Sequence, residues 1–286
     1  MTTTNAVLAG TPTACRRPGT AAVLRWEVAK LAAQARSRAL LIGAVIVPIA
    51  IVLIFNTQLP PKDTIYGRNI HTSGYAVPLF VLAFAHQWVL PLLAALVAGD
   101  IFANEDQHGT WKTILTRSVS RTQVFWAKTL TAAGFNLLVL ALLAASTITT
   151  SLLVVGTQRL PGLSGQLIPA GHALPLVIAS WATAVAPVLG FTALAILLSV
   201  TTRNPTIGVA APVVLGMIMQ IVGSLGGLNK ARRVLLTTPF ETWHGLLTAH
   251  PFHAPIITGV IVSAAWLVVC LTLAYLYLRR RDITGG

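Results

Sequence analysis

Six long apolar runs that contain no Asp, Glu, Lys or Arg constrain the fold of this chain more than any other feature. A helix needs about 20 apolar residues to cross about 30 Å of hydrocarbon, and all but the shorter first run reach that length. We therefore predict an all-α integral membrane protein with six transmembrane helices, at residues 39–55, 75–99, 129–155, 174–200, 206–228 and 256–278. At the prolines inside these runs we expect kinks rather than breaks, at Pro48, Pro78, Pro91, Pro187 and Pro212.

The basic residues of the chain lie in the connections beside the apolar runs. Lys and Arg number 20 against 7 Asp and Glu, and only 9% of the residues are charged. Since the cations do not line one polar face, they favour a topology signal and contacts with the lipid bilayer over nucleic-acid binding. With the N-terminus inside, the cytoplasmic connections hold 14 of these cations and the outer connections hold 6. We therefore predict a multi-pass protein of the plasma membrane with both termini in the cytoplasm.

The segment before the first span is predicted to form a helix on the inner membrane surface, at residues 20–38. Its apolar positions recur at helical spacing, at Leu24, Val28, Leu31 and Ala35. Basic residues surround this stripe, as in helices that lie in the membrane interface. A cytosolic extension of the first span explains the same spacing equally well.

The remaining segments outside the membrane domain (residues 39–278) are assigned from composition. We expect residues 1–19 to form a disordered tail and residues 279–286 to form a cytoplasmic tail. The connection at 229–255 is long and only partly polar, which indicates an outer loop or a re-entrant segment.

A polar segment at residues 100–128 separates the second and third apolar runs. The six charged side chains between Asp100 and Arg121 would together cost on the order of 15–20 kcal/mol in hydrocarbon. The segment therefore lies outside the bilayer. The distribution of Lys and Arg places it on the cytoplasmic side.

The order of turn and cap residues predicts two short helices in the polar segment. Gly109 is suited to end the first helix, and Thr110 can cap the next turn. Apolar side chains follow at Trp111, Ile114 and Leu115. Ser120 can then cap the helix that continues into the third span. Exposed apolar side chains ringed by both signs of charge are typical of a transient protein interface.

This segment resembles the membrane subunits of ABC-2 type transporters, in which an acidic residue, Gly-Thr, Ser-Arg and Lys follow in this order between the second and third helices. The family often has a proline two residues before the Ser-Arg pair, where this chain has Ser118. The resemblance implies that the segment contains a coupling helix that contacts a separate ATPase. It implies coupling roles for Glu105, Gly109, Thr110, Ser120, Arg121 and Lys128, to which we add Asp100 and Trp111. The alternative is that Glu105 and Arg121 only solvate a loop and that Lys128 reaches the headgroups.

The resemblance also implies a function. It indicates the permease subunit of an ABC exporter, which pairs with a second permease subunit as a homodimer or heterodimer. The expected substrate is an amphipathic small molecule, peptide or lipid. The expected partner is an ABC ATPase that binds ATP and Mg, so we expect no cofactor on this chain.

The chain contains no Gly-Lys pair and therefore no phosphate-binding loop of the Walker type. We accordingly predict a transport subunit that is not itself an enzyme. The sequence Leu163-Ser164-Gly165-Gln166 looks like a shortened ABC signature, but it lies in an outer connection. We interpret it as a chance match.

Two other classes of membrane protein stay open on the sequence. A proton- or ion-coupled secondary transporter usually needs an ionisable group in the membrane, and His86, beside Gln87, is the main candidate. A polytopic membrane enzyme would need a catalytic or metal cluster. His250 and His253 on the outer side are thin evidence for one, so we predict no catalytic residue and no metal site.

Candidate residues of a translocation path are those that place polar groups in apolar spans. We select His86, Gln87, Thr147 and Thr150. The two threonines belong to a hydroxyl-rich stretch at the outer end of the third span. Hydroxyls that bond back to their own helix are the alternative.

Overall fold

The structure, a computed structural model, describes residues 19–57, 64–111, 119–225 and 229–280. The helices of its first half are α1 (Thr20–Ala33), α2 (Ala35–Thr57), α3 (Ile65–Arg68), α4 (Ala76–Phe84), a π-helix (Ala85–Val89), α5 (Leu90–Ala98) and α6 (Ala103–Gln107). The second half contains α7 (Arg121–Val154), strands β1 (Leu160–Pro161) and β2 (Leu167–Ile168), α8 (Ala170–Thr183), α9 (Val185–Thr202), α10 (Pro205–Ser224), α11 (Asn229–Arg232), a 3-10 helix (Thr238–Leu247) and α12 (Ala254–Arg280).

Six helical stretches of the described residues are long and apolar enough to cross a membrane. They are α2, α4 to α5 through the π-helix, α7, α8 to α9, α10 and α12. This confirms the predicted all-α architecture with six candidate spans. At 34 residues, α7 is about 51 Å long, so it extends well beyond a hydrocarbon layer of about 30 Å.

The second and fourth candidate spans form the centre of the bundle. In their apolar windows 56% and 67% of the residues are buried, against 17% in the first, fifth and sixth spans. Helix α9 packs against α5, α7, α10 and α12. The outer faces of α2, α10 and α12 are apolar and exposed, which suits contact with lipid or with a second subunit.

The prolines affect the helices in different ways. Helices α2 and α10 continue through Pro48 and Pro212. Near Pro91 the second span changes to the π-helix, and three residues before Pro187 a single turn residue, Ala184, separates α8 from α9. Ala184 keeps a right-handed helical backbone (φ −72°, ψ −15°), and Ala170–Thr202 is one candidate span, so the helix is bent there and not broken. A proline cannot donate the hydrogen bond that closes the preceding turn, so the turn before it rearranges.

Two glycines bring α5 and α10 into backbone contact at one end of the bundle. A Cβ placed on Gly99 would lie 2.2 Å from the carbonyl oxygen of Gly208, and one on Gly208 would lie 2.1 Å from that of Gly99. Only glycine leaves room for this approach. Because Asp100 follows directly, the contact fixes the point where the polar segment begins.

A tight turn connects α9 to α10. Arg203 has φ 56° and ψ 12°, a left-handed conformation that costs a non-glycine residue about 1–2 kcal/mol. Asn204 caps α10 by accepting from the backbone N–H groups of Thr206 and Ile207. Pro205, at the start of α10, presets the backbone of the first turn.

At the other end of the bundle, the β1–β2 hairpin holds the 3-10 helix. The Leu163 N–H and the Gln166 Nε2 both donate to the carbonyl oxygen of Leu247, at 2.8 and 3.1 Å. Ser164 Oγ accepts from the Ala249 N–H at 3.2 Å. The sequence that looks like an ABC signature therefore forms the hairpin loop that binds the end of the 3-10 helix.

Candidate coupling site

A network of buried ion pairs joins α1 to the polar segment and to the start of α7. The Lys128 side chain is 1% exposed, and its Nζ donates to Glu27 Oε2 at 2.9 Å and to Glu105 Oε1 at 2.8 Å. Both glutamates are 3% exposed. These three side chains come from α1, α6 and α7, so one ammonium group holds three helices together.

Two more ion pairs extend the network towards α2. Lys30 Nζ donates to Glu105 Oε1, and Arg36 Nη2 donates to Asp100 Oδ2. Thr110 Oγ1 donates to the second carboxylate oxygen of Glu105. We call this set the ion-pair network; its charged members are Glu27, Lys30, Arg36, Asp100, Glu105 and Lys128.

Three cations and three anions balance in this network, which explains how the site tolerates buried charge. An ion that leaves water loses several kcal/mol of hydration, which only close partners restore. The cavity among these side chains measures only about 20 Å³. Lys128, Glu27 and Glu105 are buried against one another, where the effective dielectric constant is low and their pairs interact strongly. The side chains of Lys30 and Arg36 are 35% and 40% exposed, so water weakens the pairs that they form.

The network controls the protonation of Glu105. Burial alone would raise the pKa of this carboxyl group, but the charge and hydrogen bond of Lys128, with hydrogen bonds from Lys30 and Thr110, outweigh burial and lower the pKa from 4.5 to about 2. Glu105 is therefore a stable anion at neutral pH. Its partners bind it as a carboxylate.

We expect acid to weaken the fold through Glu105. Between about pH 4.5 and about pH 2 the unfolded chain binds a proton at this position and the folded chain does not. The stability that Glu105 contributes is therefore complete above pH 4.5 and is lost as the pH falls towards 2. Thermal unfolding in detergent, recorded across this range, should give a flatter pH profile for Glu105→Gln than for the wild type. Parallel profiles would contradict this assignment.

Local interactions fold the polar segment around the ion-pair network. Gly109 has φ 62°, which ends α6 in the conformation that glycine favours. Ser120 and Gln123 form a reciprocal capping box at the start of α7. Ser199 Oγ, on α9, accepts from the backbone N–H groups of Phe102 and Ala103 at 3.3 and 3.0 Å.

The apolar face predicted for the polar segment is in part a core contact. Trp111 is 4% exposed and stacks on Phe102, with ring centroids 6.4 Å apart. Phe125 of α7 also packs on Phe102, with ring centroids 5.7 Å apart. The expectation that Trp111 is exposed for docking is therefore wrong, because the aromatic ring anchors the segment to α7. Ile114 and Leu115 lie outside the described residues.

The end of α6 and the turn after it form an exposed part of the polar segment. Gln107, His108 and Gly109 are exposed there, and Asp106 and Thr110 on either side are half-buried. We call Gln107–Gly109 the tip. Arg121 lies apart from it, and its Nη1 donates to the carbonyl oxygen of Arg279 at 3.2 Å. The eight coupling candidates thus separate into buried network members, packing or capping residues, and a residue beside the end of α12.

The sequence did not indicate the partners that α1 supplies. The buried face of α1 consists of Val23, Glu27 and Leu31, while Val28 of the predicted stripe is 50% exposed. The stripe is displaced because Glu27 turns towards Lys128. One signal was present, since Glu27 is the only acidic residue among the first 62 of the chain. The helix also ends at Ala33, so it is not a continuous extension of the first span.

Two of the path candidates lie in the π-helix of the second span. His86 is 8% exposed, its Nδ1 lies 3.1 Å from the carbonyl oxygen of Leu82, and its ring stacks on Phe240 of the 3-10 helix at 6.4 Å. Gln87 is exposed. π-helical turns inside α-helices occur frequently at functional sites.

The two path candidates of α7 have a different setting. Thr147 is fully buried, and its Oγ1 donates to the carbonyl oxygen of Leu143 at 2.5 Å. Thr150 is half-buried. The hydroxyl of Thr147 thus bonds back to its own helix. No hydrogen bond among the described residues joins this pair to His86 or Gln87.

The comparison with known protein families identifies the chain. No curated protein matches it, but the model of the family described as ABC-2 family transporter protein matches residues 23–223. That range contains α1 from its fourth residue onwards, the polar segment and all members of the ion-pair network. A permease of this family is a multi-pass membrane protein that works with an ABC ATPase subunit. With 201 of its 286 residues matched by that model, the chain belongs to the ABC-2 transporter family, as the membrane subunit of an ABC transporter.

Proposed function

We propose that this permease is an exporter driven by ATP that a separate ABC ATPase hydrolyses, and that the ATPase acts on it through the polar segment. The ion-pair network is the observation that supports this proposal. It connects the segment between the second and third spans to helices on both sides of it. A flexible surface loop would not need buried charges to fix its position.

In this proposal, closure of the ATPase moves the tip at Gln107–Gly109. The tip is exposed and continuous with α6, and α6 holds Glu105. Lys128 then transmits the displacement to α7 and Glu27 transmits it to α1. Ser199 links the start of the segment to α9, the central helix of the bundle. Packed elements of this kind shift as units and do not deform continuously.

The substrate would pass beside the π-helix of the second span. The π-helix turns Gln87 and Trp88 towards the outside of the bundle, where Trp88 is 42% exposed. A polar amide next to a large aromatic ring on an exposed apolar face suits an amphipathic small molecule, peptide or lipid. Thr150 is the further candidate on α7, while Thr147 contributes to the helix itself.

Two permease subunits, identical or homologous, would form the complete pathway. Few residues of the first, fifth and sixth spans are buried in one subunit, and these spans offer apolar surface for the second copy. The proposal places the tip and both termini in the cytoplasm of a cell whose plasma membrane contains the complex. ATP and Mg would bind to the ATPase subunits.

The docking prediction is tested at the tip, where substitutions do not disturb the core. With Gln107→Glu and His108→Glu combined, co-purification of the co-expressed cognate ATPase should fall at least tenfold, because two new carboxylates would lose hydration at an interface that supplies no partner for them. The thermal unfolding temperature should stay that of the wild type, since both side chains are exposed. Pull-down and ATPase assays on the purified complex measure the effect.

A matched control carries the same charge change on the opposite end of the bundle. Ala249→Glu with His250→Glu should leave ATPase capture unchanged, because both residues are exposed and follow the 3-10 helix at the other end of the bundle. Equal capture by the tip variant and this control would refute docking at the tip. Labelling of His108→Cys by a membrane-impermeant maleimide in intact cells would refute the cytoplasmic placement.

A further inference from the structure

A cleft beside the tip separates α6 from the α9–α10 turn. It has a volume of about 450 Å³ and is lined by Asp106, Gln107, Arg203, Asn204, Pro205 and Thr206. Its walls are polar or belong to helix ends, unlike the lipid-facing surface of the spans. The cleft opens on the same side of the protein as the tip.

Both walls of this cleft are fixed in position. The Gly99–Gly208 contact holds the first turns of α10 against the root of the polar segment. Asn204 and Pro205 stabilise the start of α10, and Ser199 binds the backbone at Phe102 and Ala103 just before α6. The cleft therefore keeps its shape without a ligand, which is the property of a preorganised docking surface.

Arg203 is the residue in the cleft that packing does not explain. Its backbone is left-handed, a conformation that glycine adopts without strain. Its side chain is exposed, and no ion pair or hydrogen bond holds the guanidinium group within the described ranges. A glycine here would relieve the backbone and sacrifice no contact inside this subunit. Strained residues of this kind persist where the side chain has a use outside the local fold.

We propose that the cleft is a second docking surface for the ABC ATPase, in which the Arg203 guanidinium binds a carboxylate of that subunit. This inference rests on the proposed docking at the tip. Gln107 belongs to both the tip and the cleft, so one partner surface can cover the two at once. A planar guanidinium with five donors binds a carboxylate in a bidentate geometry, which fixes orientation as well as contact.

The experiment uses the complete complex and a substitution that favours the fold. Arg203→Gly should unfold at the wild-type temperature or above it, because the left-handed backbone is no longer strained. Its affinity for the ATPase should fall by on the order of tenfold, as expected for the loss of a charge-assisted contact at an interface. Arg203→Lys should recover part of the affinity, and Arg203→Glu should bind more weakly than Arg203→Gly. Affinity is measured by titrating purified ATPase onto the permease in nanodiscs.

Arg280→Glu, an exposed charge reversal at the end of α12, is the matched control and should bind like the wild type. If Arg203→Gly binds the ATPase as tightly as the wild type does, the second docking surface is wrong, while docking at the tip stands. If the wild type itself does not bind the ATPase, the proposed function fails first. A further outcome would overturn the inference. If Arg203→Gly binds the ATPase as tightly as the wild type in one nanodisc but differs from it in nanodiscs of another headgroup charge, the guanidinium group binds lipid.

Discussion

Replacing Lys128 with methionine is expected to lower the free energy of unfolding by about 3–5 kcal/mol, the range for breaking a buried ion pair by removing one partner. Methionine fills most of the volume of the lysine stem but leaves Glu27 and Glu105 as buried anions without their shared cation. Both carboxylates then either stay charged at high cost or take up a proton. Unfolding in mixed micelles measures the loss.

The matched control for this prediction is Lys30→Met. Lys30 also contacts Glu105, but its side chain is 35% exposed, and pairs near the surface contribute only about 0–1 kcal/mol. Equal losses of stability for the two variants would contradict the central role of Lys128.

The Lys128→Met variant also tests transport where it still folds. We expect ATP hydrolysis by the partner to continue and substrate transport to fall at least tenfold, because the ion pair between Lys128 and Glu105 no longer links α7 to α6.

A second large effect is expected where α5 meets α10. In Gly208→Ala the new methyl carbon would lie 2.1 Å from the carbonyl oxygen of Gly99 and 3.1 Å from its carbonyl carbon. These are backbone atoms, so no side-chain rotation can relieve the overlap and the two helices must move apart. We expect a loss of stability of about 3 kcal/mol or more, at the upper end of the range for overpacked sites, together with misplacement of the polar segment.

Gly134→Ala is the control for the glycine prediction. Gly134 lies inside α7 with nothing within 4 Å of the added carbon, so alanine should stabilise the helix by about 0.5–1 kcal/mol. Unfolding of both variants in the same detergent gives the comparison. Gly208→Ala with wild-type stability would mean that the two backbones are not in contact.

The spans were predictable from the sequence because a single local property, an apolar run without charge, defines each of them. The start of α7 was predictable from its cap. Ser120 caps a helix that begins at Arg121, eight residues before the apolar run begins at Thr129, because the end of an apolar run marks the membrane boundary while a cap marks the end of a helix. The effect of a proline differed from helix to helix, because it depends on which groups of neighbouring helices bind the carbonyl oxygen that the proline leaves without a donor.

The candidate site was predictable only as a list of residues. The order of acidic residue, Gly-Thr, Ser-Arg and Lys pointed to Glu105 and Lys128, but spacing along a chain does not give burial. Trp111 was assigned to an exposed face because its partner Phe102 lies nine residues earlier in the sequence, although the two rings are stacked 6.4 Å apart. Glu27 was missed because its partner is 101 residues distant, and no local pattern encodes such a pair.

The distance in sequence between Glu27 and Lys128 has a consequence for biosynthesis. Helix α1 leaves the ribosome with an acidic side chain whose counter-ion is not synthesised until two spans have been inserted. Until then Glu27 must remain hydrated at the membrane surface. The arrival of α7 removes that water and docks α1, so a newly made chain can complete this end of the bundle only after its third span is in place.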